Sequence, residues 1–451
     1  MDVSINVNDI DSCIVNPKGH VKALGIVRQI CRAKPEDFYH MPKYKSGHWD
    51  GYISLMSSMS TFPSGLLSLV VDRLEHEGYK VELREEHRPF YELVTPDCLD
   101  GVTLRDYQIE AANRLLKAGR GVAKMATNSG KTEVMAAICS ALDLPNTLIV
   151  VHLKDLMYQT AGRFENRLGT VTGCIGDGVY DKQPITVATV QTLASRLGDE
   201  GVEFNDNVLL MVDECHHTSS NQMIDVLRQI PGAYRFGFSG TPLKYEQLAD
   251  MKLVALTGDV VCEVSNEYLI DEGYSAKPVI HIHVVEGDGW GLDYQEAYEE
   301  CIVLNDQRNN IIAEVANTST GVVLVLVNRI EHGKRLLDIM PDAIFVHGSD
   351  SSDYRKDILE RMRSSSKGIF IASPIFDEGV DVPSVDVVII AGGGDSQLKL
   401  LQRVGRGLRK KSGDNVLIVH DFIDDTNKYL LKHSDHRIDV YVEEGFDTEL
   451  K

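Results

Sequence analysis

No two of the eight cysteines in this chain stand at a C-x-x-C spacing, and 451 residues are enough to bury cores without covalent staples. Cys13, Cys31, Cys98, Cys139, Cys174, Cys215, Cys262 and Cys301 therefore read as reduced, mostly buried small hydrophobes. That excludes a disulfide scaffold and argues against a zinc site. Long apolar runs are lacking too: the longest, 66–71 and 321–327, fall far short of the roughly 20 residues that a membrane-spanning helix takes. Positive charge is scarce. Lys and Arg number 46 against 67 Asp and Glu, a net charge of −21, so the chain is no sequence-blind polycation. Any grip on nucleic acid must come from local basic patches in a repulsive field. The opening MDVSINVNDIDS has neither the basic nor the apolar stretch of a secretory signal, so a soluble cytoplasmic protein is expected. Short-period repeats and low-complexity tracts are absent from the sequence.

What is present is an ordinary globular composition, 43% hydrophobic and 25% charged, at a length that suggests about three domains. The first hundred residues mix short apolar stretches with Pro17, Pro35, Pro42, Pro63, Pro89 and Pro96. The spacing of Leu66, Leu67, Leu69, Val70 and Leu74 predicts a helix over 66–78, and residues 82–96 read as an exit and linker. From about residue 100, Val/Ile/Leu-rich runs alternate with helical patterns, at 121–127, 146–151, 185–189, 207–213 and 234–239. A second series follows at 279–285, 321–327, 343–347, 368–373, 385–392 and 415–422. Continuous apolar runs separated by helices signify strands of parallel sheets buried on both faces. The break near 273–278 divides them into two tandem α/β domains. The expected layout is a small α+β domain over 1–97 and parallel-sheet α/β domains over 98–275 and 276–451.

The strongest local signal is GVAKMATNSGKTEVMAAI at 121–138, which reads as a strand, a tight loop and a helix. Binding a nucleotide's phosphates takes backbone N–H groups at a helix N-terminus, a lysine for the β/γ oxygens and a hydroxyl for Mg²⁺. Gly130, Lys131 and Thr132 provide the last three positions, with Thr127, Asn128 and Ser129 offering loop donors; Met125 stands where the first glycine of such a loop belongs. Further on, VLLMVDECHH runs a buried strand into Asp213 and Glu214. A carboxylate there holds the metal, and the next orients the attacking water.

Together these motifs resemble those of the superfamily 2 helicases, and the other members of the set follow in order. LRDYQ at 104–108 resembles the adenine-reading motif, with Gln108 as reader and Arg105 nearby. IVVHLKDLMYQT at 149–160 and VATVQTL at 187–193 resemble the strand-contacting motifs, which implies DNA contacts at His152, Lys154, Gln191 and Thr192. FSGTP at 238–242 resembles the motif that couples nucleotide state to grip through Ser239 and Thr241, with His216 as relay; His217 reads as a packed or capping residue. ASPIFDEGVDVP at 372–383 supplies Glu378, Gly379 and Asp381, the last two implied at the ATP. LLQRVGRGLRK at 400–410 supplies Gln402 for coupling, Arg403, and the implied arginine fingers Arg406 and Arg409. The segments GHWDGYISLMS…FPSGLL and HSDHRIDVYVEEGFD are similar to phage branch-migration helicases of the UvsW type, relatives of the XPB and RecG translocases. The resemblance implies two RecA-like domains with ATP in their cleft.

Seven basic residues (Lys18, Lys22, Arg28, Arg32, Lys34, Lys43, Lys45) against Glu36 and Asp37 reverse the local charge over 18–48. Tyr39, Tyr44, Trp49 and Tyr52 interleave with them, as a surface that tracks phosphates and stacks bases requires. Lys43, Lys45 and Trp49 are the DNA candidates, although Trp49 reads equally as a core anchor, and Trp290 is as ambiguous. The reading is an ATP- and Mg²⁺-dependent DNA helicase or translocase. The resemblance implies forked or four-way DNA in recombination, repair or replication as its substrate, a monomer on DNA, and a phage protein in the host cytoplasm. A duplex translocase that separates no strands and an RNA-directed motor stay open. A chain that starts near Leu99 is expected to remain a soluble motor.

Overall fold

The computed structural model describes residues 2–16, 19–57, 59–85, 88–198, 203–243, 246–373, 385–394 and 415–451. The chain forms two compact units, Met1–Val264 and Ser265–Lys451. All eight cysteines are free thiols, five buried and three half-buried. Among the described residues no helix is long and apolar enough to cross a membrane.

The first unit is built on an eight-stranded sheet. Its strands lie in the order Val179–Tyr180, Thr172–Gly176, Ile185–Thr189, Thr147–Val151, Leu209–Asp213, Tyr234–Ser239, Arg120–Met125, Val260–Val264. Only the two-residue edge strand Val179–Tyr180 runs antiparallel. Four strands, Thr147–Val151, Ile185–Thr189, Leu209–Asp213 and Tyr234–Ser239, are buried at every position, as largely apolar runs require when helices cover both faces. The helices Asp106–Ala118 and Lys154–Leu168 end on Gly119 (φ 74°) and Gly169 (φ 61°), left-handed caps that suit glycine. Thr172–Gly176 and Val260–Val264 escape the sequence reading, the former because glycines at both of its ends interrupt the apolar pattern.

The first hundred residues fold as the expected α+β element. A sheet in the order Thr61–Pro63, Asp11–Ile14, Asp2–Val7, Lys80–Glu85 carries the helices Val21–Ile30 and Leu67–His76, the latter preceded by a 3-10 turn, Ser64–Leu66. This element shares its core with the large sheet's layer. Met251, Val254 and Ala255 join Ile5, Val27, Phe62, Leu66 and Val70 in one apolar cluster. Gly65 lies so close to the helix Gln247–Thr257 that an added Cβ would fall 2.0 Å from the Val254 carbonyl oxygen. Gly232 N–H donates to Asp9 at 3.1 Å, and Ser68 donates to Asp259. Cutting at Leu99 would bare that apolar face, so the expectation of an intact shortened motor needs correcting: the first two of the expected domains make one unit.

The second unit carries a seven-stranded, wholly parallel sheet in the order Ile344–Val346, Gly368–Ala372, Val322–Leu326, Val387–Ile389, Val416–Asp425, Lys277–Glu286, Asp447–Leu450. Apolar clusters fill both of its faces. The unit begins ahead of the break expected at 275/276, because Ile270 of the helix Asn266–Asp271 packs into it and Asn266 donates to Glu444 at 2.7 Å.

A buried cation locks the first sheet to its helices. Arg235, 2% exposed in the middle of Tyr234–Ser239, donates to the carbonyls of Leu256 (3.0 Å), Ile230 (2.7 Å) and Leu227 (3.0 Å). Arg235→Ala strands three buried acceptors, at a cost of about 3–5 kcal/mol. The first thermal transition of the full chain should then fall by roughly 6–15 °C. An unchanged midpoint would show that water reaches those carbonyls freely.

Candidate functional site

Parallel strands end together, so the loops that leave them gather on one edge of the sheet. In the first unit the loop 126–130 follows Arg120–Met125, and His152 follows Thr147–Val151. Gln191 lies just beyond Ile185–Thr189, Glu214 follows Leu209–Asp213, and Ser239 closes Tyr234–Ser239. Residues more than a hundred positions apart thereby share one rim.

The loop makes its turn with Asn128 (φ 66°) and Gly130 (φ 79°), both in the left-handed region. The left-handed backbone at Gly130 favours glycine, and an added Cβ there would push against Gln108 Nε2 at 2.3 Å. Met125 is wholly buried as the last residue of its strand, so the missing first glycine leaves the turn itself untouched. The helix Lys131–Ala141 starts at once, and its first-turn N–H groups and dipole favour an anion. Ser129 is fully buried and its Oγ lacks a hydrogen-bond partner, a donor left over inside a loop that otherwise fits phosphate.

Lys131 Nζ meets Glu214 Oε1 at 2.9 Å, both side chains largely withdrawn from water. Burial by itself disfavours the Lys131 ammonium, but Glu214 and Asp213 outweigh it and raise its pKa. Burial likewise works against the Glu214 carboxylate, yet Lys131 holds its pKa below the usual value. Asp213 goes the other way: burial, then the adjacent Glu214, push it up to about 6 despite Lys131. Asp213 is thus a buried carboxylate short of positive charge. Asp213 and the Thr132 hydroxyl each offer oxygen of the kind that a hard divalent cation takes.

A relay leads away from this pair. Glu214 holds a left-handed backbone (φ 48°), rare for a residue with a side chain. His216 Nδ1 lies 3.4 Å from Glu214 Oε2 and 3.0 Å from Ser239 Oγ, and the Ser239 hydroxyl accepts the Thr241 N–H at 3.1 Å. Burial pulls the His216 imidazole down to about 3, so the ring is neutral at pH 7. His217 packs its ring 4.1 Å from that of His216 and 4.4 Å from that of His152.

Gln108 is buried against the same loop. Its Oε1 accepts the Arg105 N–H and its Nε2 donates to the Ser129 carbonyl, both at 2.9 Å. Tyr107, absent from the sequence reading, donates to that carbonyl at 2.9 Å and accepts from Arg105. Also missed is Arg167, which grips Glu133 on the loop's helix at 2.9 Å. Nothing in the local pattern announces a partner 34 positions away. The structure brings His152 and Gln191 together, the glutamine donating to the His152 carbonyl at 2.9 Å. Lys154 pairs with Asp177 at 3.1 Å, and Thr192 accepts from Thr189 at 3.0 Å. Lys43 and Lys45 stand exposed on the short helix Pro42–Lys45, and Trp49, half-buried, donates to the Tyr52 carbonyl at 2.8 Å. Phe38 and Tyr44 pack edge to face beside them, with Lys34 over the Phe38 ring at 4.2 Å. Glu378, Gly379, Asp381, Gln402, Arg403, Arg406 and Arg409 lie outside the described residues.

Two family models match the chain: "Type III restriction enzyme, res subunit" over residues 101–244 and "Helicase conserved C-terminal domain" over 306–411. Among curated proteins, the chain is 28% identical to "DNA 3'-5' translocase XPB2" of Sulfurisphaera tokodaii, over 75% of this chain and 85% of that protein. It is 24% identical to "ATP-dependent DNA helicase uvsW" of Enterobacteria phage T4, over 100% of this chain and 99% of that protein. Among solved structures, the fold resembles a fragment of a putative HsdR subunit of a type I restriction enzyme from Vibrio vulnificus YJ016. That likeness has a TM-score of 0.59 and 21% identity, over 80% of this chain and 69% of that one.

The two halves of the ion pair should fail differently. Lys131→Ala should abolish binding of a nucleoside triphosphate in a fluorescence titration. Glu214→Gln should keep that binding within about threefold while phosphate release falls at least roughly a hundredfold. Near-normal release from Glu214→Gln would overturn the role given to this carboxylate.

Proposed function

We propose, from the premise that this chain belongs to the superfamily 2 helicases, that it is an ATP-driven DNA motor working on forked and four-way DNA. ATP hydrolysis drives the motor, and the observation that carries this reading is the buried Lys131–Glu214 pair joining the phosphate loop to the end of Leu209–Asp213.

The triphosphate enters the loop 126–130 against the first-turn N–H groups of Lys131–Ala141. Lys131 then turns from Glu214 to the β/γ oxygens, and the released Glu214 orients the attacking water. Thr132 and Asp213 would hold Mg²⁺, whose positive charge offsets that of the phosphates. By the resemblance of their motifs, Arg406 and Arg409 are assigned the charge that neutralises the transferring group, and Gly379 and Asp381 a part in nucleotide binding. A change at Glu214 passes through His216 to Ser239 and Thr241, and from there to the strand grip, with Gln402 taking part. Adenine contact by Gln108 and Arg105 entails exchanging their present bonds to each other and to Ser129.

On DNA, His152, Lys154, Gln191 and Thr192 grip a strand through phosphates, a contact blind to branching. Junction choice is assigned to the exposed Lys43 and Lys45 with Trp49. The match to the T4 protein, named a DNA helicase, runs through the first hundred residues, where both family models are silent. A second reading, tracking along duplex DNA without separating strands, is favoured by the match to the translocase XPB2 and by the restriction-enzyme model over 101–244. Displacement of a third strand from a triplex without fork unwinding would select it.

Charge reversal tests the junction assignment. The double change Lys43→Glu, Lys45→Glu should weaken fork binding by about tenfold at low salt and reduce the slope of log affinity against log salt by roughly 2. Turnover stimulated by linear single strands should stay unchanged. Undiminished preference for forks would place junction reading in the α/β units.

A further inference from the structure

In the second unit the strand Val387–Ile389 ends, Ile390 still pairs with His420, and the chain continues as Ala391–Gly392–Gly393–Gly394. Gly393 (φ 58°) and Gly394 (φ 102°) hold left-handed backbone, and a Cβ at Gly392 would fall 2.6 Å from the Asn328 backbone nitrogen. Three successive glycines have little conformational preference of their own, so the path of this segment is set by whatever holds it.

Four side chains from separate places in the sequence do so. Arg308 Nη1 donates to the Ala391 carbonyl at 2.5 Å, Tyr298 Oη to that of Gly392 at 2.7 Å, and Arg437 Nη1 to that of Gly394 at 2.7 Å. Asn328 Nδ2 donates to the Gly392 and Gly393 carbonyls at 2.8 and 3.2 Å. All four carbonyls are therefore held by side chains. The two arginines are themselves fixed, Arg308 by Asp424 at 2.7 Å and Arg437 by Asp421 at 2.9 Å, with both pairs almost wholly buried. Charge-assisted bonds in such surroundings are strong and directional, whereas burying two ion pairs contributes little to stability by itself. Twelve residues after Gly394 in the sequence comes Arg406.

We propose that Tyr298, Arg308, Asn328 and Arg437 are positioning residues for hydrolysis: by clamping the carbonyls of Ala391–Gly394 they fix the point from which the arginine-bearing segment departs. The proposal rests on the reading of Arg406 and Arg409 as the charge-neutralising arginines. A displacement of about 1 Å in such a group costs on the order of a hundredfold in rate, which is why a glycine run leading to it has to be held. The clamp also gives a role to the C-terminal helix Lys428–Glu443, which carries Arg437.

The test uses the full chain with saturating single-stranded DNA. Tyr298→Phe removes one hydroxyl, and Asn328→Ala removes the bonds to Gly392 and Gly393. Each should lower kcat for ATP about fivefold or more with KM for ATP nearly unchanged, while the chain stays folded and the lost hydrogen bonds lower its melting midpoint by only about 2–6 °C. In an Arg406→Ala background, single-turnover rates should show no further loss from either change, because the clamp acts through that arginine. Unchanged kcat in both single variants, or a further multiplicative loss in the Arg406→Ala background, would overturn the clamp. Full turnover in Arg406→Ala itself would instead overturn the arginine assignment, and the clamp with it.

Discussion

The ion pair between Lys131 and Glu214 ties the chemistry of this chain to its architecture. Two opposite charges 2.9 Å apart and mostly out of water attract strongly, while either one left alone would be costly to bury. The start of the helix Lys131–Ala141 and the end of the strand Leu209–Asp213 are therefore placed by each other. Glu214 accepts a left-handed backbone to make the contact, which also sets His216 within reach of Ser239. A phosphate that draws Lys131 away would leave every later member of that chain of contacts free to move.

Buried arginines do comparable work elsewhere. Asp and Glu outnumber Lys and Arg by 67 to 46 in this protein, yet Arg235, Arg308 and Arg437 lie buried in it, each donating to backbone carbonyls. In the first unit such a cation joins a strand to two helices; in the second, two of them hold a glycine run on course. The first hundred residues are joined to the large sheet by ordinary apolar packing instead, with Gly65 allowing backbone to approach backbone. That packing ties the element to the layer beneath it.

Much of this was legible without coordinates. Ile185–Thr189 and Tyr234–Ser239 were read to the residue, since every position in them but Arg235 is β-branched, aromatic or small, with breaks at both ends. Thr172–Gly176 and Asp447–Leu450 were not, because glycine in one and acidic residues in the other remove the apolar signal. Lys131, Asp213 and Glu214 stand out in the sequence because phosphate and metal chemistry calls for certain side chains at fixed offsets from a strand end, and such offsets are local. The hold of Tyr107 and Gln108 on Ser129, the engagement of Lys154 by Asp177 and the support of Glu133 by Arg167 were invisible.

The difference has a physical reason. Hydrophobic periodicity, turn residues and short motifs act over a few residues, so the sequence by itself determined the α/β class, most of the strand series and a set of candidates for the chemistry. Which polar group answers which is decided by burial, and burial depends on how strands from distant parts of the chain come to lie side by side. Only the tertiary structure could decide that the N-terminal element shares a core with the first sheet. Only it could show Glu214 paired with Lys131, or four scattered side chains holding the carbonyls of Ala391–Gly394.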